Sequence, residues 1–385
     1  MTLIDRLPPG EGTSSGNAGI ISVGSVHPEA MPGIYKEIPY MVFRRMAPVT
    51  LRSAHLWHFL PWFTRFLACS SHARAETSSI SIHALSSKAM DYLQPLVSEA
   101  GADGLLRHEG SLYVHETEAQ LAKARADCAY YDRRGVDYRI IESKELAQME
   151  PSLRPDVAGA VLTTQAAHTV SPLALSRALF ALFQRKGGEF IQAEVSGFVT
   201  DERQVTAVRT DQELPCEQAF ITAGSYSNLL SQQLNSPVLL DTERGYHLQL
   251  TDPGVELRRP LLFVGRAFAA TSMQDSLRLA GTVEFAGLKA APNYARARVL
   301  GQQAAALFPG LNIDKAETWM GYRPSLPDSV PVISASPHYE NVYFGFGHGH
   351  LGLTQAAVTG ATLAAMAADK ETPVDVSAYR IDRKI

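Results

Sequence analysis

Ten residues near the carboxyl end, 345–354 (GFGHGHLGLT), hold four glycines and two histidines. Gly345, Gly347, Gly349 and Gly352 let backbone lie against a planar ring with no side chain in the way. A helix starting near Thr354 would point its partial positive end back at that loop, where it would stabilise negative charge developing on the ring. Leu353 and Thr354 open that helix, and His348 and His350 stand over the ring. An ordinary glycine-rich turn capping a helix is the competing reading. So is a histidine satisfied only by backbone carbonyls.

Twenty-odd residues earlier, GYRPSLPDSVPVI places Arg323 beside a proline-rich turn. A guanidinium fixes a carboxylate bidentately, as an amino-acid substrate would require so that its Cα–H meets an electron acceptor. Tyr246 and Tyr322 are candidates for a second hydrogen bond to that carboxylate. A structural salt bridge for Arg323, and plain core packing for the tyrosines, are the alternatives.

At 385 residues the chain is long enough for two cores. Apolar residues at 45% and charged residues at 19% exclude a disordered chain. A net charge of −4 with no Lys/Arg block excludes a nucleic-acid partner. Cys69, Cys128 and Cys216 lack CxxC spacing, so neither a zinc site nor a disulfide framework is expected. Buried thiols of a reducing, cytoplasmic compartment fit better, and no metal site is expected. There is no apolar run of about 18 residues to span a membrane, and no charged region followed by an apolar stretch to mark a secretory signal.

The residues Thr2-Leu3-Ile4-Asp5-Arg6 read as a short buried strand ending in an acid, one that needs partners on both sides. The following loop, 10–19, is rich in small residues and backbone donors suited to close approach of a phosphate. A flexible surface loop would have the same composition. Residues 50–69 are aromatic-rich and interrupted by Pro61, which predicts two short helices with a kink between them. Helical periodicity covers 78–100, 116–134, 143–150, 172–187 and 291–307, with LLRHEGSLYVH predicted as a hairpin about Gly110. Between 190 and 223 a meander returns to a final strand ending in Ala223-Gly224, and 244–285 alternates as a second, antiparallel sheet. Cofactor-type segments therefore interleave with the rest. The expected fold is α/β plus α+β, with one discontinuous domain over 1–50, 150–235 and 315–385 and a second over 51–149 and 236–314.

Four stretches carry a family resemblance: TLIDR with GTSSGNAG, FITAGSYSNLL near 220, GYRPSLPDSVPVI, and NVYFGFGHGHLGLTQAAVTG near 341. The chain resembles the FAD-dependent D-amino acid oxidase superfamily over essentially its whole length, and its D-amino acid dehydrogenase small-subunit branch above all. Glycine oxidase and sarcosine oxidase are relatives. The resemblance implies a Rossmann-like (GR2-type) FAD-binding domain interleaved with an antiparallel-sheet substrate domain. It also implies that Asp5, with Arg6 beside it, reaches the adenosine ribose. Ser14, Ser15, Asn17 and Ala18 would line flavin and pyrophosphate, Val195 would touch the adenine, and Ala223 and Gly224 would pass close to the cofactor. Arg323 matches the position that holds the substrate carboxylate, and His350 stands where glycine oxidases carry an arginine. No cysteine occurs in 300–360, so the flavin is expected to be non-covalent there.

Family members open with strand, G-x-G-x-x-G and helix, about 20 residues before the ribose-binding acid. This sequence shows no such unit, and it is expected to be truncated in the Rossmann-like domain by a late start codon or by a shortened gene product. In the second case FAD binding loses its helix N-terminus. The resulting reading is oxidative deamination of a D-amino acid, or of a secondary amine such as a D-proline derivative, with electrons passed to a quinone-type acceptor. The alternatives are a glycine/sarcosine-type oxidase using oxygen and a catalytically dead chain. Trp57, Phe59, Trp62, Phe63 and Phe66 form either a lid near the substrate or a peripheral contact with the inner face of a membrane. With only Arg52 and Arg65 as cations, the lid fits better.

Overall fold

The computed structural model describes residues 1–43 and 47–385, with side chains placed for all of these except 42 and 43. Its largest element is a nine-stranded sheet. The sheet runs in the order Ala316–Ser325, Asp241–Thr251, Ser276–Phe285, Phe268–Met273, Leu261–Phe263, Ser111–His115, Gly159–Thr163 and Tyr138–Glu142, with Val49–Leu51 added beside Ser276–Phe285. Most neighbours are antiparallel, as the alternation of 244–285 predicts.

A second body is built from short parallel pairs. Thr2–Asp5 lies beside Glu189–Gln192, and Ala219–Ile221 beside Val342–Phe346. Each of the strands Thr2–Asp5 and Ala219–Ile221 has one hydrogen-bonded neighbour among the described residues, and their apolar side chains Leu3 and Phe220 are exposed. The first strand was expected to be buried between two partners, and it has one. Helices Pro172–Arg185 and Gly352–Ala367 pack with these strands. No described helix is long and apolar enough to cross a membrane.

Several local expectations change. Leu106–Arg107 and Ser111–His115 do not pair as a hairpin: the first joins Ala167–Thr169, the second Gly159–Thr163 and Leu261–Phe263. Gly110, at φ +73, lets the chain leave one sheet for the other instead of turning back. Residues 56–69 form one helix that contains Pro61, not two. Pro61 falls early enough that only one hydrogen bond to the first turn is lost. The stretch 78–100 is two helices, His72–Ser86 and Ala89–Glu99. Gly159–Thr163 and Ala316–Ser325 both belong to the large sheet, so that layer reaches beyond 51–149 and 236–314.

The strand Asp241–Thr251 organises the rest, because side chains alternate between its two faces. Tyr246, Leu248 and Leu250 point into a core with Leu277, Leu279, Ala297, Leu300, Ala304 and Phe308, against helix Ala295–Ala305. Glu243, Gly245 and His247 occupy the opposite face. Arg244, 0% exposed, donates to the carbonyls of Gly287 and Ala290 at 2.8 and 2.7 Å and lies 3.7 Å from Glu284. Glu284 also accepts from Arg52 at 2.8 Å and from the Tyr246 hydroxyl at 2.5 Å. A charge this deep is tolerated only with its donors and acceptors satisfied.

Replacing Glu284 by Leu removes the acceptor of Tyr246 and Arg52 and leaves Arg244 buried without a carboxylate. We expect a loss of about 3–5 kcal/mol in urea unfolding. Glu142→Ala, which breaks an exposed pair with Arg125, is expected to cost less than about 1 kcal/mol. Equal losses would show that the buried network holds the sheet no better than a surface pair does.

Candidate active site

A cavity of about 2300 Å³ opens on the face of the large sheet opposite the apolar core. One wall is the sheet, with Glu243, Gly245, Thr282, Trp319, Tyr322 and Arg323. Across from it stand the strand Thr2–Asp5, the loop 10–18, the turn at Ala223–Gly224 and the loop Gly345–Thr354. The predicted loop and the predicted arginine thus meet at one cavity.

The loop after the first strand is pinned by side chains that the sequence did not advertise. Arg278 donates through Nη1 to the carbonyls of Ser15 and Asn17 at 3.0 and 2.7 Å. Burial lowers its pKa to about 10, which leaves it cationic at neutral pH. His247 pairs through Nδ1 with the Gly16 carbonyl at 2.8 Å, and its ring stacks on Trp319 at 4.9 Å. Gly16 has no room for a side chain, since a Cβ there would meet the Trp319 indole at 2.4 Å. Thr13 Oγ1 accepts from the Tyr322 backbone N–H at 3.1 Å, and Ser225 Oγ donates to the Tyr322 carbonyl at 3.1 Å. The arginine-bearing strand is therefore tied to two cavity loops at one residue.

Of the predicted ring- and phosphate-side residues, Asp5, Arg6, Ser14, Asn17, Ala18, Val195, Ala223, Gly224, Gly347, His348, Gly349, Gly352, Leu353 and Thr354 line this cavity. Ser15 does not, because its hydroxyl turns to the Gly12 carbonyl at 2.9 Å. The Asn17 side chain closes its own turn, donating to Ser14 O and accepting from Gly19 N. Asp5 accepts from Leu7 N at 2.9 Å, and Arg6 lies 3.9 Å over the Tyr226 ring. Helix Gly352–Ala367 has no side-chain cap, so N–H groups at its N-terminus remain open toward the cavity. His348 reaches Thr359 Oγ1 at 2.9 Å. Burial lowers its pKa to about 4, so it is neutral.

Arg323 donates through Nη1 to the Thr282 carbonyl at 3.3 Å and crosses Gly245, where a Cβ would stand 2.5 Å from its Nη2. Tyr322 lines the cavity and donates to Leu288 O at 3.3 Å. Tyr246 was expected to help with a carboxylate. Its side chain borders the cavity, and its hydroxyl donates to Glu284 and accepts from Asn293 N. His350 pairs through Nδ1 with Glu29 Oε1 at 2.9 Å. Glu29 in turn hydrogen-bonds Glu243, the cross-strand neighbour of Arg323. Burial, then the charge of Glu29, pushes Glu243 well above the usual carboxylate range. Burial works to raise Glu29 too, but the hydrogen bond and charge of His350 and the nearness of Arg323 outweigh it, and its pKa falls.

Sequence reasoning missed both glutamates. A run of charged residues, Asp241 to Arg244, inside a strand of buried type was the signal available for Glu243. Nothing in VHPEAMPG singled out Glu29. Among the described residues, no cluster of His, Cys, Asp or Glu could hold a metal ion.

Comparison with known proteins gives the family to which this cavity belongs. The family model for DAO, FAD dependent oxidoreductase, matches residues 1–366, and the chain belongs to that family. It is 31% identical to a D-amino-acid oxidase of Bradyrhizobium diazoefficiens, over 98% of this chain and 92% of that protein. It is 29% identical to a D-amino acid dehydrogenase of Vibrio cholerae, over 97% and 90%. Its fold matches glycine oxidase from Geobacillus kaustophilus with a TM-score of 0.72 at 18% identity, covering 100% of this chain and 92% of that one.

FAD is the cofactor of this family, and the cavity fits it. The volume suits a large ligand, and the open helix N-terminus suits the negative charge of a reduced ring. Gly224 and Gly349, at φ +56 and +53, leave open space where a Cβ would stand.

Burial lowers the pKa of His168 and of His247 to about 4. In the unfolded chain a histidine takes its proton near pH 6.5. Unfolding therefore takes up protons between these values, and stability is expected to fall as pH drops from about 6.5 to about 4. Denaturation midpoints at stepped pH check this, and His247→Gln is expected to flatten part of the slope. An unchanged slope would show that His247 is protonated in the fold.

Proposed function

We propose that this enzyme oxidises the amine of a D-amino acid, or of a related secondary amine such as a D-proline derivative, to the imine. Where the amine is primary, water then converts the imine to the 2-oxo acid and ammonia. The supporting observation is Arg323, a guanidinium held across Gly245 by the Thr282 carbonyl and facing the loop Gly345–Thr354 over one cavity. FAD bound in that cavity supplies a two-electron acceptor for the hydride of the substrate Cα–H.

The chain's own residues do the positioning. Arg323 takes the substrate carboxylate as a bidentate pair, and Tyr322 stands beside it. The glycines at 347, 349 and 352 bring backbone against the ring, and the start of helix Gly352–Ala367 favours charge on it. Asp5 and Val195, which line the cavity, are assigned to the ribose and adenine, and the turn at Ala223–Gly224 to the stretch between. Trp62, Phe63 and Phe66 wall the cavity with apolar surface, which excludes water from the reacting carbon.

The D-enantiomer is supported by the names of the relatives, which divide on the acceptor, one being an oxidase and one a dehydrogenase. We take a quinone-type acceptor. Helix Leu56–Cys69 lines the cavity with Phe59 and exposes Leu56, Trp57 and Leu60, with Trp57 78% exposed, which forms an apolar surface next to the site. That surface also suits peripheral contact with a membrane.

With the flavin-loaded protein, Arg323→Ala is expected to lower kcat/KM for D-amino acids by on the order of 10- to 100-fold, with the flavin spectrum unchanged. Arg323→Lys should recover part of the loss. Wild-type kinetics in the alanine variant would remove Arg323 from the substrate site. A water-soluble quinone is expected to support faster turnover than oxygen, and the opposite order would make the enzyme an oxidase.

A further inference from the structure

The substrate's nitrogen must be a neutral amine when Cα–H breaks, because an ammonium has no lone pair to form the imine. At neutral pH the free amino acid carries an ammonium, so a proton has to leave it inside the cavity. With the carboxylate on Arg323, that nitrogen stands one carbon away, facing whatever neighbours the guanidinium. This reasoning rests on the proposed role of Arg323.

Those neighbours form a connected chain. Glu243 is paired directly across the strands with Arg323 and is 3% exposed. Its carboxyl hydrogen-bonds that of Glu29 and lies near the Ser325 hydroxyl. The side chain of Glu29, 35% exposed, lines the cavity, and its Oε1 meets His350 Nδ1 at 2.9 Å. Ser329 Oγ accepts from the Glu29 backbone N–H at 2.9 Å and holds that segment in place. Asp241, two residues before Glu243, is engaged with His55 at 3.0 Å. A separate feature marks the same spot as a ligand seat. Thr282, 7% exposed, lines the cavity beside Arg323, and its Oγ1 has no hydrogen-bond partner.

We propose that Glu29 and Glu243, linked to His350, accept the proton of the substrate ammonium. Two carboxyls in hydrogen-bond contact hold one proton and one negative charge between them. The N–H bond of the ammonium breaks and its electron pair stays on nitrogen, while an O–H bond forms on the carboxylate of Glu29. That proton then leaves to water from the partly exposed Glu29 side chain, which restores the singly protonated pair. Nothing is oxidised in this step, and charge is conserved. The raised pKa of Glu243 and the lowered pKa of Glu29 agree with a proton resident on the former and a charge on the latter.

The test is the rate of anaerobic flavin bleaching against pH in the loaded wild type, Glu29→Gln and Glu243→Gln, with unfolding midpoints to confirm that each variant is folded. Wild type should keep its rate down to near-neutral pH. The variants should be slower by on the order of 100-fold at pH 7 and recover as pH approaches that of the free amine. An amino acid whose amine is already neutral at pH 7, through an electron-withdrawing neighbour, should react equally with all three. Calorimetry of its binding in two buffers of different ionisation heat should show less proton release than for an ordinary amino acid. Should Glu243→Gln fail to fold, Glu29→Gln carries the test, since that side chain is partly open. Wild-type pH profiles in the folded variants would overturn the role of the pair while leaving Arg323 in place. A wild type that no amino acid bleaches would overturn the function proposed above, and the pair's role with it.

Discussion

The antiparallel pairing of Asp241–Thr251 with Ala316–Ser325 is the constraint on which the rest depends. Its register sets Glu243 opposite Arg323, Gly245 opposite Gly321 and His247 opposite Trp319. A slip of one residue would turn every one of these to the core and bring Leu248 into the cavity. The register is held from both sides. Leu248 and Leu250 bury against helix Ala295–Ala305, and Trp319 and His247 receive the loop at Gly16. Core packing and site assembly are thus two faces of one strand pair.

Charge is arranged along the same strand in two ways. On the core face Arg244, Glu284, Arg52 and Tyr246 satisfy one another, which makes the group structural and inert. On the cavity face Glu243, Glu29 and His350 lie next to one another near Arg323, and two of them are carboxyls. Like charges at hydrogen-bond distance cannot both ionise at low cost. The proposed proton transfer uses that pair, where the core-face group has nothing left to exchange.

Much of this was legible in the sequence. The Gly/His loop, the arginine before Pro324 and the strand-end acid at Asp5 each carry local chemistry, and the structure gathers all three around one cavity. The antiparallel sheet over 244–285 was legible from alternation. The engagement of the Tyr246 hydroxyl by Glu284 was not legible, because its strand is buried on both faces and residue type gave no indication of its partners. Glu29 and His350 meet over 321 residues, a contact that no local pattern encodes. The parting of 106–107 from 111–115 was hidden for the same reason: Gly110 permits a hairpin and a change of sheet equally well, and the choice depends on partners elsewhere in the chain.

The central claim is that this strand pair builds a receptor for an amino acid's carboxylate next to the flavin. The most direct measurement compares anaerobic bleaching of the loaded protein by a D-amino acid with bleaching by the amine of the same side chain that lacks the carboxylate. The account predicts rapid bleaching by the first and, at equal concentration, a rate lower by on the order of 10- to 100-fold for the second. Equal rates for the two would contradict it, because Arg323 would then have no part in selecting the substrate.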